Sequence, residues 1–287
     1  MNTAEQLQQK HTQQKQTQQK GVNPADLERL KSLRYIDDDF FTVCLEDNFE
    51  AVELILRIIL GKNIKIKSIR VQEVLKNLRG RSAILDVHAI DTDDREMNIE
   101  IQRNDKGADA KRARHNSSLL DAHILKSGEK TEDIPDSYVI FITENDVMKG
   151  NQPIYTVERY ATVGEEKVLF GDGSHIIYVN GKYRGNDEIG RLMHDFFCAN
   201  PNDMNYDALA KRARYFKQDR KGVKSMCKIL EDMRNEAAKE AALNNARETA
   251  KRMIMKGKMS LEDIADCVQI LSIDELKEIE AEVMSLA

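Results

Sequence analysis

The sequence predicts an α/β fold: one sheet-bearing core followed by a helical C-terminal region. Three observations carry that reading. Segments with period-two alternation gather between Ile64 and Gln102, a continuous apolar run occupies Tyr138–Ile142, and from about Asp187 the pattern is helical to the end. A chain of 287 residues can bury one large core or two modest ones, so one main α/β domain with a smaller helical part is expected.

Residues 1–22 are rich in Gln, Lys and Thr with almost nothing apolar, and such a tract cannot bury enough surface to offset chain entropy; a disordered tail is expected. From Asp26 the pattern turns helical. Leu27, Leu30 and Leu33 lead in, Phe40, Phe41, Val43 and Cys44 follow, and Val52, Ile55, Leu56 and Ile59 continue at helical spacing to a stop at Gly61. Ile64, Ile66, Ile69 and Val71 then suggest a strand, and Asn77 and Gly80 a turn. Ser82–Ile90 and Glu96–Gln102 both alternate across the short polar run Asp91–Arg95, which predicts a β-hairpin.

After a loop at Asn104–Gly107, Asp109–Leu125 reads as a helix with Ala110, Ala113, Leu120 and Ile124 inward. Tyr138–Ile142 suits a central strand covered on both faces. Ile154–Val157 and His175–Val179 are further strands, the second after the turn Gly171-Asp172-Gly173. Helices are expected at Asp187–Phe197 and Tyr206–Phe216, then a long one from about Lys221 to Lys256, stopped by Gly257. Ser260 with Asp263, and Ser272 with Glu275, are capping signals for two short helices, Leu261–Cys267 and Ile273–Val283. The expected division is a tail over 1–22, an α/β domain over 26–185 and a helical region over 186–287.

A net charge of −5 gives no global sign of nucleic-acid binding, so any such contact must come from local basic patches. Cys44, Cys198, Cys227 and Cys267 are far apart and form no Cys-x-x-Cys pair, which argues against a zinc site or a disulfide framework and suits a reducing compartment; buried thiols are the expectation. The longest apolar run, near Leu54–Leu60, is broken by Arg57 and too short to span a bilayer, and no apolar signal core opens the chain. A cytoplasmic protein without membrane association is the default.

The hairpin carries the most informative residues. On its second strand Met97, Ile99 and Ile101 alternate with Asn98, Glu100 and Gln102, so Glu100 and Gln102 share a face. On the first, Leu85 and Val87 point one way and Asp86 the other, between Ile84 and His88. If Asp91 pairs with Arg95, Asp86 falls opposite Glu100 and Ile84 opposite Gln102. Side chains so placed have Cβ atoms about 4.5–5.5 Å apart, where two carboxylates repel. A hard divalent cation removes that repulsion by binding both through oxygen, and it can activate water and neutralise charge on a phosphate. Gln102 can orient that water or a phosphate oxygen but cannot shuttle protons. The alternative is that the two acids decorate the solvent face of a two-layer sheet.

The pattern Asp86, then Asn98-Ile99-Glu100-Ile101-Gln102, preceded by Gly80-Arg81-Ser82 and followed by Arg103-Asn104-Asp105-Lys106-Gly107, resembles the PD-(D/E)XK nuclease superfamily. More narrowly it is similar to the bacterial PD-(D/E)XK family transposases, the Rpn-type recombination-promoting nucleases. Supporting stretches are Ile36-Asp37-Asp38-Asp39-Phe40-Phe41, Tyr138-Val139-Ile140-Phe141-Ile142-Thr143 and Phe170-Gly171-Asp172-Gly173-Ser174-His175, so the likeness runs from about residue 30 into the C-terminal helices. The resemblance implies a restriction-endonuclease-like α-β-β-β-α-β mixed sheet, dependence on Mg2+ (or Mn2+), and hydrolysis of DNA phosphodiesters. It implies Asp86 and Glu100 as metal ligands and Gln102 at the place where the superfamily has Lys, which leaves the Lys role vacant. An acid from the first helix would complete the site: Asp39 is the candidate, with Glu46 and Glu50 as rivals and a helix cap as the alternative role for Asp39.

Lys111, Arg112, Arg114 and His115 lie on the helix that borders the cleft in that fold, either as phosphate contacts or as a solvated helix face. His88 reads as structural or cleft-lining. Lys211, Arg212, Arg214, Lys217, Arg220, Lys221 and Lys224 form a second basic cluster, and Ser260–Leu276 loosely has helix-turn-helix spacing, although a packing or dimerisation element fits equally. The expected function is an Mg2+-dependent DNA endonuclease with DNA as partner and no organic cofactor; double-strand cleavage would suit a homodimer. A DNA- or partner-binding module that does not cut, on the same fold, is the runner-up. A helical assembly protein built on Lys221–Lys256 would leave the hairpin acids unexplained.

Overall fold

A computed structural model describes residues 23–77, 81–125 and 128–285. The tail and Gly80 of the expected turn lie outside these residues. The chain is α/β, with a mixed six-stranded sheet, flanking helices and a helical C-terminal region.

Its first helical stretch divides in three: α1 (Pro24–Ser32), α2 (Asp38–Leu45) and α3 (Phe49–Leu60). One continuous pattern would have joined the last two. The break comes at Asp47, which takes a left-handed conformation (φ 52°), and Asn48, whose side chain accepts the Ala51 N–H and caps α3. Gly61 closes α3 in the left-handed conformation that glycine adopts without a Cβ clash.

The strands are β1 (Ile66–Leu75), β2 (Ala83–Asp91), β3 (Glu96–Gln102), β4 (Ser137–Thr143), β5 (Ile154–Val157), β6 (Tyr160–Val163), β7 (Glu166–Leu169) and β8 (Ser174–Asn180). The main sheet runs β1-β2-β3-β4-β8-β5. β1, β2 and β3 form an antiparallel meander, β3, β4 and β8 are parallel, and β5 returns antiparallel on the edge. β4 is buried at every position, as a central parallel strand must be. β6 and β7 form a separate two-stranded hairpin that the sequence reading missed; it turns at Gly164, and its side chains are nearly all exposed.

The crossover from β3 to β4 contains α4 (Ala110–Ile124), capped by Asp109, whose carboxylate accepts the N–H groups of Lys111 and Arg112. Ala113, Leu119 and Leu120 of α4 share a core with Leu75, Ala83, Leu85, Val139, Phe141 and Tyr178. α2 lies against β1, β2 and β3.

Contacts divide the chain at a different place from the expected 185/186 boundary. One compact unit spans Glu28–Val223, and the other combines residues up to Leu27 with Lys224–Ala287. Helices α5 (Glu188–Phe197) and α6 (Asp207–Gln218) therefore belong with the sheet. Aromatic packing accounts for this: Phe196 lies 5.8 Å from Tyr35 and 5.9 Å from Phe41, ring centre to ring centre, and the Tyr35 hydroxyl donates to the Leu209 carbonyl. Lys217 adds a clasp by donating to the carbonyls of Leu33 and Ala199.

In the other unit, α8 (Leu261–Cys267), α9 (Ile273–Ser285) and the turn between them bury Ile264, Val268, Leu271, Leu276, Ile279 and Val283 against Ala246 and Ala250 of the long helix α7 (Arg220–Lys256). Both capping signals form: Ser260 pairs reciprocally with Asp263, and Ser272 with Glu275. Cys44 and Cys227 are buried, Cys198 is half-buried and Cys267 is exposed. Among the described residues no helix is long and apolar enough to cross a membrane.

Candidate metal centre

The hairpin turn fixes the register. The Asp91 N–H donates to the Arg95 carbonyl, while Asp91 Oδ1 accepts the N–H groups of Asp93 and Arg95, closing the turn that the sequence suggests. The ladder then runs Ile90–Glu96, Ala89–Met97, His88–Asn98 and Val87–Ile99. The next step would set Asp86 against Glu100, as expected from the sequence, but the backbone ladder ends before it. Asp86 replaces it with its side chain: Oδ2 accepts the Ile101 N–H at 2.9 Å, beside Glu100. The two acids are thus neighbours through a side-chain bond rather than a cross-strand backbone pair.

Both are deeply buried. Asp86 is 7% exposed and Glu100 is fully covered. Burial, then the charges of Glu100 and Asp38, pushes the Asp86 carboxyl up to about 8. Burial likewise raises Glu100, although hydrogen bonding from Asn98 and the charge of Arg112 offset part of the shift. Asn98 Nδ2 donates to Glu100 Oε1 at 2.9 Å, while Asn98 Oδ1 is buried with no partner among the described residues. Two neighbouring buried acids that resist ionising together offer oxygen donors of the kind hard divalent cations take. Among the described residues no group of three or more His, Cys, Asp or Glu side chains is arranged to hold a metal, and a cation at this pair would need water or substrate oxygens to complete its shell.

Asp39, the candidate first-helix acid, is engaged elsewhere. Asp39 is ion-paired with Arg29 at 3.0 Å, whereas Asp38 is the one whose charge is felt at both Asp86 and Glu100. On a helix adjacent residues lie about 100° apart, so the triplet Asp37-Asp38-Asp39 cannot present every member to one site. Asp37 is taken by Arg34 and Arg103. Nothing local in the sequence separates these three acids; the docking of α2 on the sheet does.

Arg112 also has a different place from the expected surface contact. Its guanidinium reaches into the site, Nη2 at 3.3 Å from Glu100 Oε2 and Nη1 at 3.5 Å from Gln102 Oε1. Lys111 and Arg114 are exposed and His115 half-buried on the same helix. His88 is buried between two acids, with Nδ1 at 2.5 Å from Glu73 and Nε2 at 2.7 Å from Glu96. Burial alone would lower its pKa, but the bonds to Glu96 and Glu73 outweigh that and raise it. It braces β1, β2 and β3.

Gly107 carries no signal in the sequence beyond that of a loop glycine. A Cβ there would stand 2.0 Å from Gln102 Oε1, so the glycine makes room for the Gln102 amide. That atom is the far end of a flexible side chain, and Gly107→Ala is expected to fold normally while displacing Gln102. A change in stability of less than about 1 kcal/mol, read from urea melts, is the expected outcome.

Compared with models of protein families, with curated proteins and with solved structures, the chain matches none.

Proposed function

We propose that the chain is an Mg2+-dependent DNA endonuclease of the PD-(D/E)XK type, transposase-like and recombination-promoting, with its site at Asp86 and Glu100. The observation that supports this most is the pair of neighbouring buried carboxylates, Asp86 anchored by the Ile101 N–H next to Glu100, with Asp38 adding negative charge nearby. An isolated ionised carboxylate is costly to bury, and two together are costlier unless a cation joins them. Bound there, Mg2+ would lower the pKa of a water molecule and neutralise charge on the scissile phosphate. Asp86 and Glu100 would hold it, Asn98 fixes the Glu100 carboxylate, and the Gln102 amide would orient a water or phosphate oxygen. Lys111, Arg114 and His115 of α4 would meet flanking phosphates.

Two observations favour a second reading, a module that binds DNA or a partner without cutting. Gln102 stands where the superfamily has Lys, and Arg112 is lodged on Glu100. A plasmid-nicking assay with and without Mg2+, using wild type beside Glu100→Ala, separates them. The nuclease reading expects nicking that needs both Mg2+ and Glu100; DNA retention without nicking selects the binding module.

A further inference from the structure

We infer that Arg112 is a tethered counter-ion: its guanidinium occupies the carboxylate site, and a divalent cation must displace it to enter. The inference rests on the metal reading above and adds an internal competitor to it. One planar head spans Glu100 and Gln102, at 3.3 and 3.5 Å, and its charge also acts on Asp86 and Asp38. A single positive group therefore serves every acid of the cluster, which is the service a divalent ion would perform.

Burial makes the arrangement asymmetric. Glu100 has no exposed surface, whereas the Arg112 side chain is 40% exposed. The carboxylate cannot leave, and ionised without a partner it would be strongly destabilising. The arginine can leave, because its head reaches water along a flexible stem rooted in the first turn of α4. Charge-assisted hydrogen bonds usually lie at about 2.7–2.9 Å, so contacts at 3.3 and 3.5 Å are loose enough to exchange. A cation that binds only the open arrangement has its apparent affinity reduced by the fraction of molecules in which Arg112 has left.

The test is calorimetric titration of Mn2+ into the full chain for wild type, Arg112→Gln, Arg112→Lys and Asp86→Asn, with thermal melts of each. Arg112→Gln is expected to bind Mn2+ about tenfold more tightly than wild type, with a lower melting temperature without metal and a larger rise on adding it. Arg112→Lys should fall between the two, since an ammonium keeps the charge but loses the planar fork. Wild type and Arg112→Gln binding equally, or the variant more weakly, would overturn the counter-ion role and leave the metal site standing. Absence in both proteins of any binding that Asp86→Asn removes would defeat the metal reading and this inference together. If Arg112→Gln does not fold, Arg112→Lys decides: affinity no tighter than wild type overturns the inference.

Discussion

Replacing Asp86 by Asn is expected to reduce metal-dependent nicking by roughly a thousandfold, about 4 kcal/mol of transition-state stabilisation, while the protein stays folded. The amide keeps the shape and an oxygen acceptor for the Ile101 N–H, but it cannot supply the negative charge a cation needs. The same variant has a signature in stability. The folded-state pKa of Asp86 is raised, to about 8, by burial and then by Glu100 and Asp38. A raised acid contributes stability that is fully present below its unfolded pKa and is lost as pH climbs through the folded value. Metal-free wild type should therefore lose stability between about pH 4 and about pH 8, and Asp86→Asn should flatten that decline. Melting curves across this range check it. Mg2+ should restore wild type most at the alkaline end and leave the variant unchanged, because ligation requires the deprotonated acid.

Phe196→Ala is expected to destabilise the protein by about 3–5 kcal/mol. Phe196 is fully buried between Tyr35 and Phe41, and its carbonyl accepts the Ile36 N–H, so α5 is part of the core that positions α2 and Asp38. Urea denaturation reads the loss directly. A cost below about 1 kcal/mol would mean that α5 is not integral to the Glu28–Val223 unit, contrary to the packing seen.

Much of this architecture is legible in the sequence because its signals are local. Asp91 and Arg95 declare the hairpin turn, Asp109 declares the start of α4, the Tyr138–Ile142 run declares a central strand, and Ser260 and Ser272 declare the last two helices. What escaped depends on tertiary placement. The β6–β7 hairpin exposes its side chains and so lacks the in-out alternation that marks a half-buried strand. The division at Val223 follows from rings of Tyr35, Phe41 and Phe196 that are far apart in sequence. The nearness of Asp38 rather than Asp39 to the two buried acids, and the reach of Arg112 to Glu100, follow from how α2 and α4 dock on the sheet. Gly107 reads as an ordinary loop glycine until the Gln102 amide is found against it.

The measurement that bears most directly on this account is anomalous scattering from crystals grown with Mn2+. A single manganese peak within bonding distance of a carboxylate oxygen of Asp86 and one of Glu100 is the expected result. Manganese bound to only one of these side chains, or to neither at saturating concentration, would contradict the shared-cation site on which the nuclease reading stands.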